Sequence, residues 1–153
     1  QLVRRFGDVP DRGCGPQRVM PAAQIGAALK ARLDLLAFNP AIPVAWPNRD
    51  FTPDGSRYLA VQIEAAPNRR LTIGGRHRYS GSMIVRACIP LNGGSGQGDG
   101  VADAIAAHFP ADLSITLSGG SVLRVPEAPS VRGGYRDDGY WHTPVIIPFE
   151  VLT

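Results

Sequence analysis

The chain has 153 residues, 44% of them hydrophobic, which is enough for one domain with a real core and excludes an intrinsically disordered protein. Gly 18 and Pro 14 favour strands and turns over a helical bundle, because both residues break helix interiors. The net charge is +3, but the first 19 residues carry +2 of it, so the rest is nearly neutral and no basic body suited to nucleic acid emerges. No apolar run approaches the roughly 20 residues of a membrane helix, so the expectation is a soluble domain with no membrane contact.

Residues Gln1 to Val19 lack apolar periodicity and contain Arg4, Arg5, Arg12, Arg18, Gly7, Pro10, Gly13, Gly15 and Pro16. They read as an N-terminal arm of the kind that orders only when docked. The domain is expected from Met20 to Thr153, with Met20-Pro21 as a natural start. Cys14 and Cys88 are too few for a disulfide framework and fit no metal spacing, so both read as reduced thiols, with Cys88 buried in a strand.

Ile25, Leu29, Leu33 and Leu36 recur at helical spacing, and Asn39-Pro40 ends the pattern. Ile42 to Trp46 reads as a short strand and Pro47 to Ser56 as a loop. Leu59, Val61, Ile63 and Ala65 then alternate with Tyr58, Ala60, Gln62 and Glu64, the pattern of a half-buried strand. Leu71 to Ile73 predicts a short strand before Gly74-Gly75, and Tyr79 to Ile89 a long central one. Asp99 is expected to cap a second helix in which Val101, Ile105 and Phe109 stack until Pro110 stops it. Leu113 to Leu117 and Val122 to Val125 form a hairpin, and Gly133 to Gly139 an exposed loop before a last strand, Tyr140 to Val151.

Pro144 and Pro148 have equal parity in that strand, so both missing N–H groups face one lateral side. The reading that follows is an edge strand whose outer side is blocked against further pairing. Together these elements predict an α+β domain: a mainly antiparallel or mixed β-sheet with two helices packed on one face.

Catalytic motifs are thin. The run Gly93 to Gly100 lies where a phosphate cradle would be, but no Lys-Ser/Thr follows its last glycine. His77, His108 and His142 lack any paired metal spacing, and no Gly-x-Ser-x-Gly elbow surrounds a serine. No cofactor, metal or catalytic residue is assigned. Asp137-Asp138, flanked by glycines, reads as a solvated turn. The basic run Arg69, Arg70, Arg76, His77, Arg78 has three readings: a solvated hairpin tip, a subunit interface, or a lining that faces nucleic acid. Trp46, Tyr58, Tyr79 and Trp141 start or sit in apolar strands and are expected to pack as structural core.

Four segments together resemble a known family. Val44 to Asn48 continuing through Phe51-Thr52-Pro53 to Tyr58-Leu59-Ala60-Val61 is similar to the opening of the tail terminator proteins of long-tailed bacteriophages and prophages. Arg76 to Gly81, Ala102 to Phe109 and Trp141 to Phe149 resemble the same family in order and spacing, and the likeness covers Met20 to Thr153. The arm is not matched. The resemblance implies a structural subunit, not an enzyme, that forms a homo-hexameric ring on the tail tube and stops tube polymerisation. It also implies contact with the tail tube protein and with head-completion or neck proteins, and passage of genomic DNA through the ring without sequence-specific binding. The corresponding place is the tail-neck junction of the virion, after assembly in the bacterial host cytoplasm. Arg69, Arg70, Arg76 and Arg78 are then expected at a subunit interface, with Asp137 and Asp138 of a neighbour as candidate partners. Another neck or tail-tube structural role is the near alternative. A small hydrolase or nuclease, or a monomeric ligand-binding module, would require converging acids or a pocket.

Overall fold

The structure is a computed structural model that describes residues 22–153; the expected arm and the start at Met20 lie outside them, as does Cys14. Helix α1 spans Ala22–Asp34 and buries Ile25, Leu29 and Leu33. Strand β1 is short, Val44–Ala45, and pairs in parallel with β2, Tyr58–Ala65. Strand β3, Arg69–Arg70, turns into β4, His77–Pro90, the longest strand of the fold. Helix α2 is Gly96–His108, followed by the hairpin β5 (Ser114–Thr116) and β6 (Val122–Arg124). Two short strands, β7 (Ser130–Val131) and β8 (Tyr135–Asp137), precede β9, Tyr140–Leu152.

These strands form one sheet in the order β1-β2-β4-β9-β6-β5, antiparallel except for β1 against β2. The register Leu59↔Ala87, Val61↔Val85, Met83↔Ile147 and Val85↔Val145 puts the odd-numbered residues of β2, β4 and β9 on one face. Both helices cover that face. Leu29 and Leu33 of α1, Val101 and Ile105 of α2, and Met83, Val85, Val145 and Ile147 of the sheet belong to a single buried cluster. Fully burying an aliphatic side chain of this size contributes about 1.5–3 kcal/mol, so this face supplies most of the driving force for folding. The C-terminal ends of the helices are tied reciprocally: the His108 ring donates Nε2–H to the Arg32 carbonyl, and the Arg32 guanidinium donates to the His108 carbonyl at 3.0 Å.

Four expectations are corrected. The last strand is central, not an edge: β9 pairs with β4 along its whole length and with β8, β7 and β6 on its other side. The proline parity nevertheless has a physical consequence. Pro144 lies between the residues that pair with β8 and with β7, and Pro148 between those that pair with β7 and with β6. Arg132 N–H donates to the Pro144 carbonyl at 2.8 Å, so the side that lacks the proline N–H groups is this one. It is covered by three short strands with breaks at the prolines, where a single long strand would leave carbonyls unpaired.

Leu71–Ile73 is the tip of a turn and the strand lies at Arg69–Arg70, because Leu71 N–H already closes onto the Arg76 carbonyl and Gly74 and Gly75 adopt positive φ. Within the expected Gly133–Gly139 loop, Tyr135–Asp137 is a strand, turned back by Asp138 and Gly139, both at positive φ. Asp99 is not the cap of α2: the helix begins at Gly96 after Ser95, and Asp99 sits in its first turn, where its charge still suits the helix dipole. Gly98 lets this first turn lie close to the sheet, since a Cβ there would lie 2.7 Å from Thr143 Oγ1.

Candidate subunit interface

The basic run forms a projecting hairpin at one end of the sheet. Arg69 pairs with Arg78 and Arg70 with His77, and β3 occupies the side of β4 away from β9, in line beyond β2. Arg69, Arg70 and Arg76 are exposed, and the Arg70 Nε–H donates to the Thr72 carbonyl at 3.1 Å, a contact local to the turn. The tip also carries apolar groups: Ile73 is 100% exposed and Leu71 50%. None of these arginines has a carboxylate partner among the described residues.

Arg78 differs. Its guanidinium reaches Glu150 Oε2 at 2.7 Å, while Arg124 reaches Oε1 at 2.8 Å, so one carboxylate joins β4, β6 and β9. Glu150 is buried and both arginines are about half exposed. The pair of arginines therefore satisfies an anion that would otherwise be costly to bury.

Asp137 and Asp138 lie at the other end of the sheet. Tyr140 pairs with Pro90 and Leu152 with Arg78, so the β8–β9 turn is separated from the basic hairpin by the length of the ladder, roughly 40 Å at the usual rise of a strand. Within one chain the fold does not bring the two together.

The even-numbered face near the β8–β9 turn holds an aromatic cluster. Phe51 packs on Tyr58 with ring centroids 5.0 Å apart, Tyr58 meets Tyr140 edge-on at 5.1 Å, and Tyr135 stacks on His142 at 5.2 Å. Beneath them Cys88 Sγ lies 3.3 Å from His142 Nδ1, while His142 Nε2 lies 3.0 Å from the Asp137 carbonyl. The carbonyl can only accept, so Nε2 carries the proton and Nδ1 accepts the thiol S–H. Burial pushes the Cys88 thiol up, and burial together with the hydrogen bond to Cys88 pushes Tyr58 up to about 12. A buried, protonated thiol is a packing group and not a nucleophile. Sequence reasoning missed this pair because the two residues are 54 positions apart and only the β4–β9 register sets Cys88 against His142.

Trp46 and Tyr79 pack against the core cluster, and Tyr58 and Trp141 are half-buried. Arg136 and Trp141 line a cavity of about 240 Å³ with the loop that leads into α2. Among the described residues, no three His, Cys, Asp or Glu side chains cluster to hold a metal. No helix is long and apolar enough to cross a membrane among the same residues.

A groove of about 640 Å³ lies between α1 and β5, with Ala27, Ala31, Leu35, Ile115 and Leu117 in its lining. Gln24 Oε1 closes one end by accepting from Gly119 N–H at 3.1 Å, and Leu35, 72% exposed, stands at the other with Leu113.

The model of a family described as phage tail terminator protein matches residues 24–149. A solved structure, one of four chains that match, superposes with a TM-score of 0.73 at 32% identity, covering 86% of this chain and 96% of its own. No curated protein matches the chain.

Proposed function

Because this chain belongs to the phage tail terminator family, a family of tail structural proteins, we propose that it forms a closed ring of six copies on the end of the tail tube, stops tube growth there, and offers its outer surface to head-completion or neck proteins. The observation that carries this reading is the family match across residues 24–149, which takes in every element of the fold except the last residues of β9 and the first of α1. No catalytic residue enters it, and the genome passes through the ring without sequence-specific contact.

Ring closure needs a heterologous contact, in which one surface of each copy meets a different surface of the next. At the hairpin end of the sheet the lateral order is β3-β4-β9-β6-β5, so among the described residues β3 and β5 are its opposite edges. Arg69, Arg70 and Arg76 then act at the subunit contact, while Arg78 supports the hairpin through Glu150. An interior lining for these arginines is the less suitable role, since each phosphate contact adds a salt-dependent attraction that would retard the genome.

The test is tube polymerisation. Tail tube protein assembled with this chain should stop at short, capped tubes with the chain at one end, as seen by electron microscopy. Tubes of unchanged length with no chain bound would overturn the proposal.

A further inference from the structure

We propose that the β3–β4 hairpin of one copy inserts Leu71 and Ile73 into the groove between α1 and β5 of the next copy, with Arg69, Arg70 and Arg76 meeting carboxylates at the groove's open end. This rests on the ring reading above and names the surfaces that build it.

Three independent features fit a second copy as the occupant. The first is position. The hairpin and the groove lie on opposite lateral edges and at the same end of the sheet, since Arg78 pairs with Leu152, Leu152 with Val122, and Val122 with Thr116. A projection on one edge and a cavity on the other repeat head-to-tail, and a rotation between copies closes the series.

The second is chemistry of the surfaces. Ile73 is wholly exposed at the tip of a tight turn, an unfavourable place for a branched aliphatic side chain in an isolated subunit. The groove is lined by alanine methyls and by Leu35, Ile115 and Leu117, and its volume of about 640 Å³ accommodates two aliphatic side chains. Alanines on the exposed side of α1 leave the depth; a larger side chain at Ala27 or Ala31 would fill it.

The third is charge. Asp34 immediately precedes Leu35 and Asp112 immediately precedes Leu113, so two exposed carboxylates adjoin the end of the groove that Gln24 does not close. The arginines flank the apolar tip in sequence on both sides. Insertion of the tip brings unlike charges together at the rim, where they set register and orientation more than affinity.

The experiment uses the full chain with two variants at exposed positions, Ile73→Asp in the hairpin and Ala31→Arg in the groove. Each alone should remain folded by circular dichroism and lose self-association at least tenfold in sedimentation. Mixed in equal amounts they should form a dimer and no larger species, because one intact hairpin meets one intact groove and the series ends there. Ile73→Asp rings of wild-type size would overturn the docking and leave the ring standing. A mixture that stays monomeric would also overturn it, by showing that the two positions do not face each other. Wild-type chain that forms no ring, even on tail tube, would defeat the ring reading itself. Asp34→Lys with Asp112→Lys should weaken association, and Asp137→Lys with Asp138→Lys should not; the reverse pattern would give the arginines to the β8–β9 turn and overturn the proposal.

Discussion

The two faces of the β2–β4–β9 sheet are held by different physics. The odd-numbered face is covered by α1 and α2, and its Met83, Val85, Val145 and Ile147 are wholly buried in aliphatic contacts. The even-numbered face carries an ion-pair cluster and a thiol–imidazole pair, Glu150 between two arginines at one end and Cys88 with His142 at the other. Close packing penalises any change of volume on the first face, whereas at the Glu150 end of the second the half-exposed guanidinium groups can turn to water when their partner is lost. The same strands thus carry an aliphatic, helix-covered face and a face built on ion pairs and aromatic contacts.

The largest expected effect breaks the first face. A Cβ at Gly81 would lie 2.2 Å from the Glu64 carbonyl oxygen and 2.9 Å from the Phe149 ring, so neither β2 nor the core leaves room. Gly81→Ala should lose about 3 kcal/mol, typical of severe overpacking, and chemical denaturation of purified protein measures it. Retained stability would mean that β2 and β4 are not paired as described.

A change on the second face should cost less. Glu150→Gln removes the anion that joins Arg78 and Arg124, but both guanidinium groups are about half exposed and can rehydrate. The expected loss is about 1 kcal/mol, the range of partly exposed ion pairs, and it should shrink as salt rises. Thr143 gives the opposite sign on the odd face. Its hydroxyl is fully buried beneath Gly98 with no hydrogen-bond partner, so Thr143→Val should raise stability by about 1 kcal/mol, visible as a higher Tm.

The smallest effect is a titration. Tyr58 holds its proton up to about 12 in the folded protein against 10.0 for an ordinary tyrosine. Between those values the unfolded chain loses a proton that the folded one keeps, so the folded state binds more protons and stability falls as pH rises through this window. Tyr58→Phe should flatten that decline. An ultraviolet titration of the wild type should show a late step from Tyr58 that vanishes in the variant. A decline of equal slope in both proteins would place Tyr58 outside the aromatic cluster.

The strands whose alternation was strict were legible in the sequence. Leu59, Val61 and Ile63 against Tyr58, Gln62 and Glu64 mark β2, and the shared parity from Tyr79 to Ile89 marks β4, because one face is buried at Leu59 and Val61 and from Met83 to Ile89. The position of β9 was not legible. Pro144 and Pro148 show which side lacks donors, but only the three-dimensional register shows that short strands cover that side between them. Strand β8 was hidden for a related reason: three exposed residues among glycines gain their pairing from β9 alone. Of the basic run, charge and position are legible, but nothing in the sequence separates Arg78 from its neighbours, because Glu150, its partner, lies 72 residues away. The groove was invisible altogether, since the alanines of α1 read only as helix formers until β5 lies beside them.

Copies of this chain are proposed to close into a ring through two different edges. Native mass spectrometry of the full chain, alone and released from tail tube, tests it most directly. A species of six copies is expected. A strictly monomeric chain in both samples would contradict it.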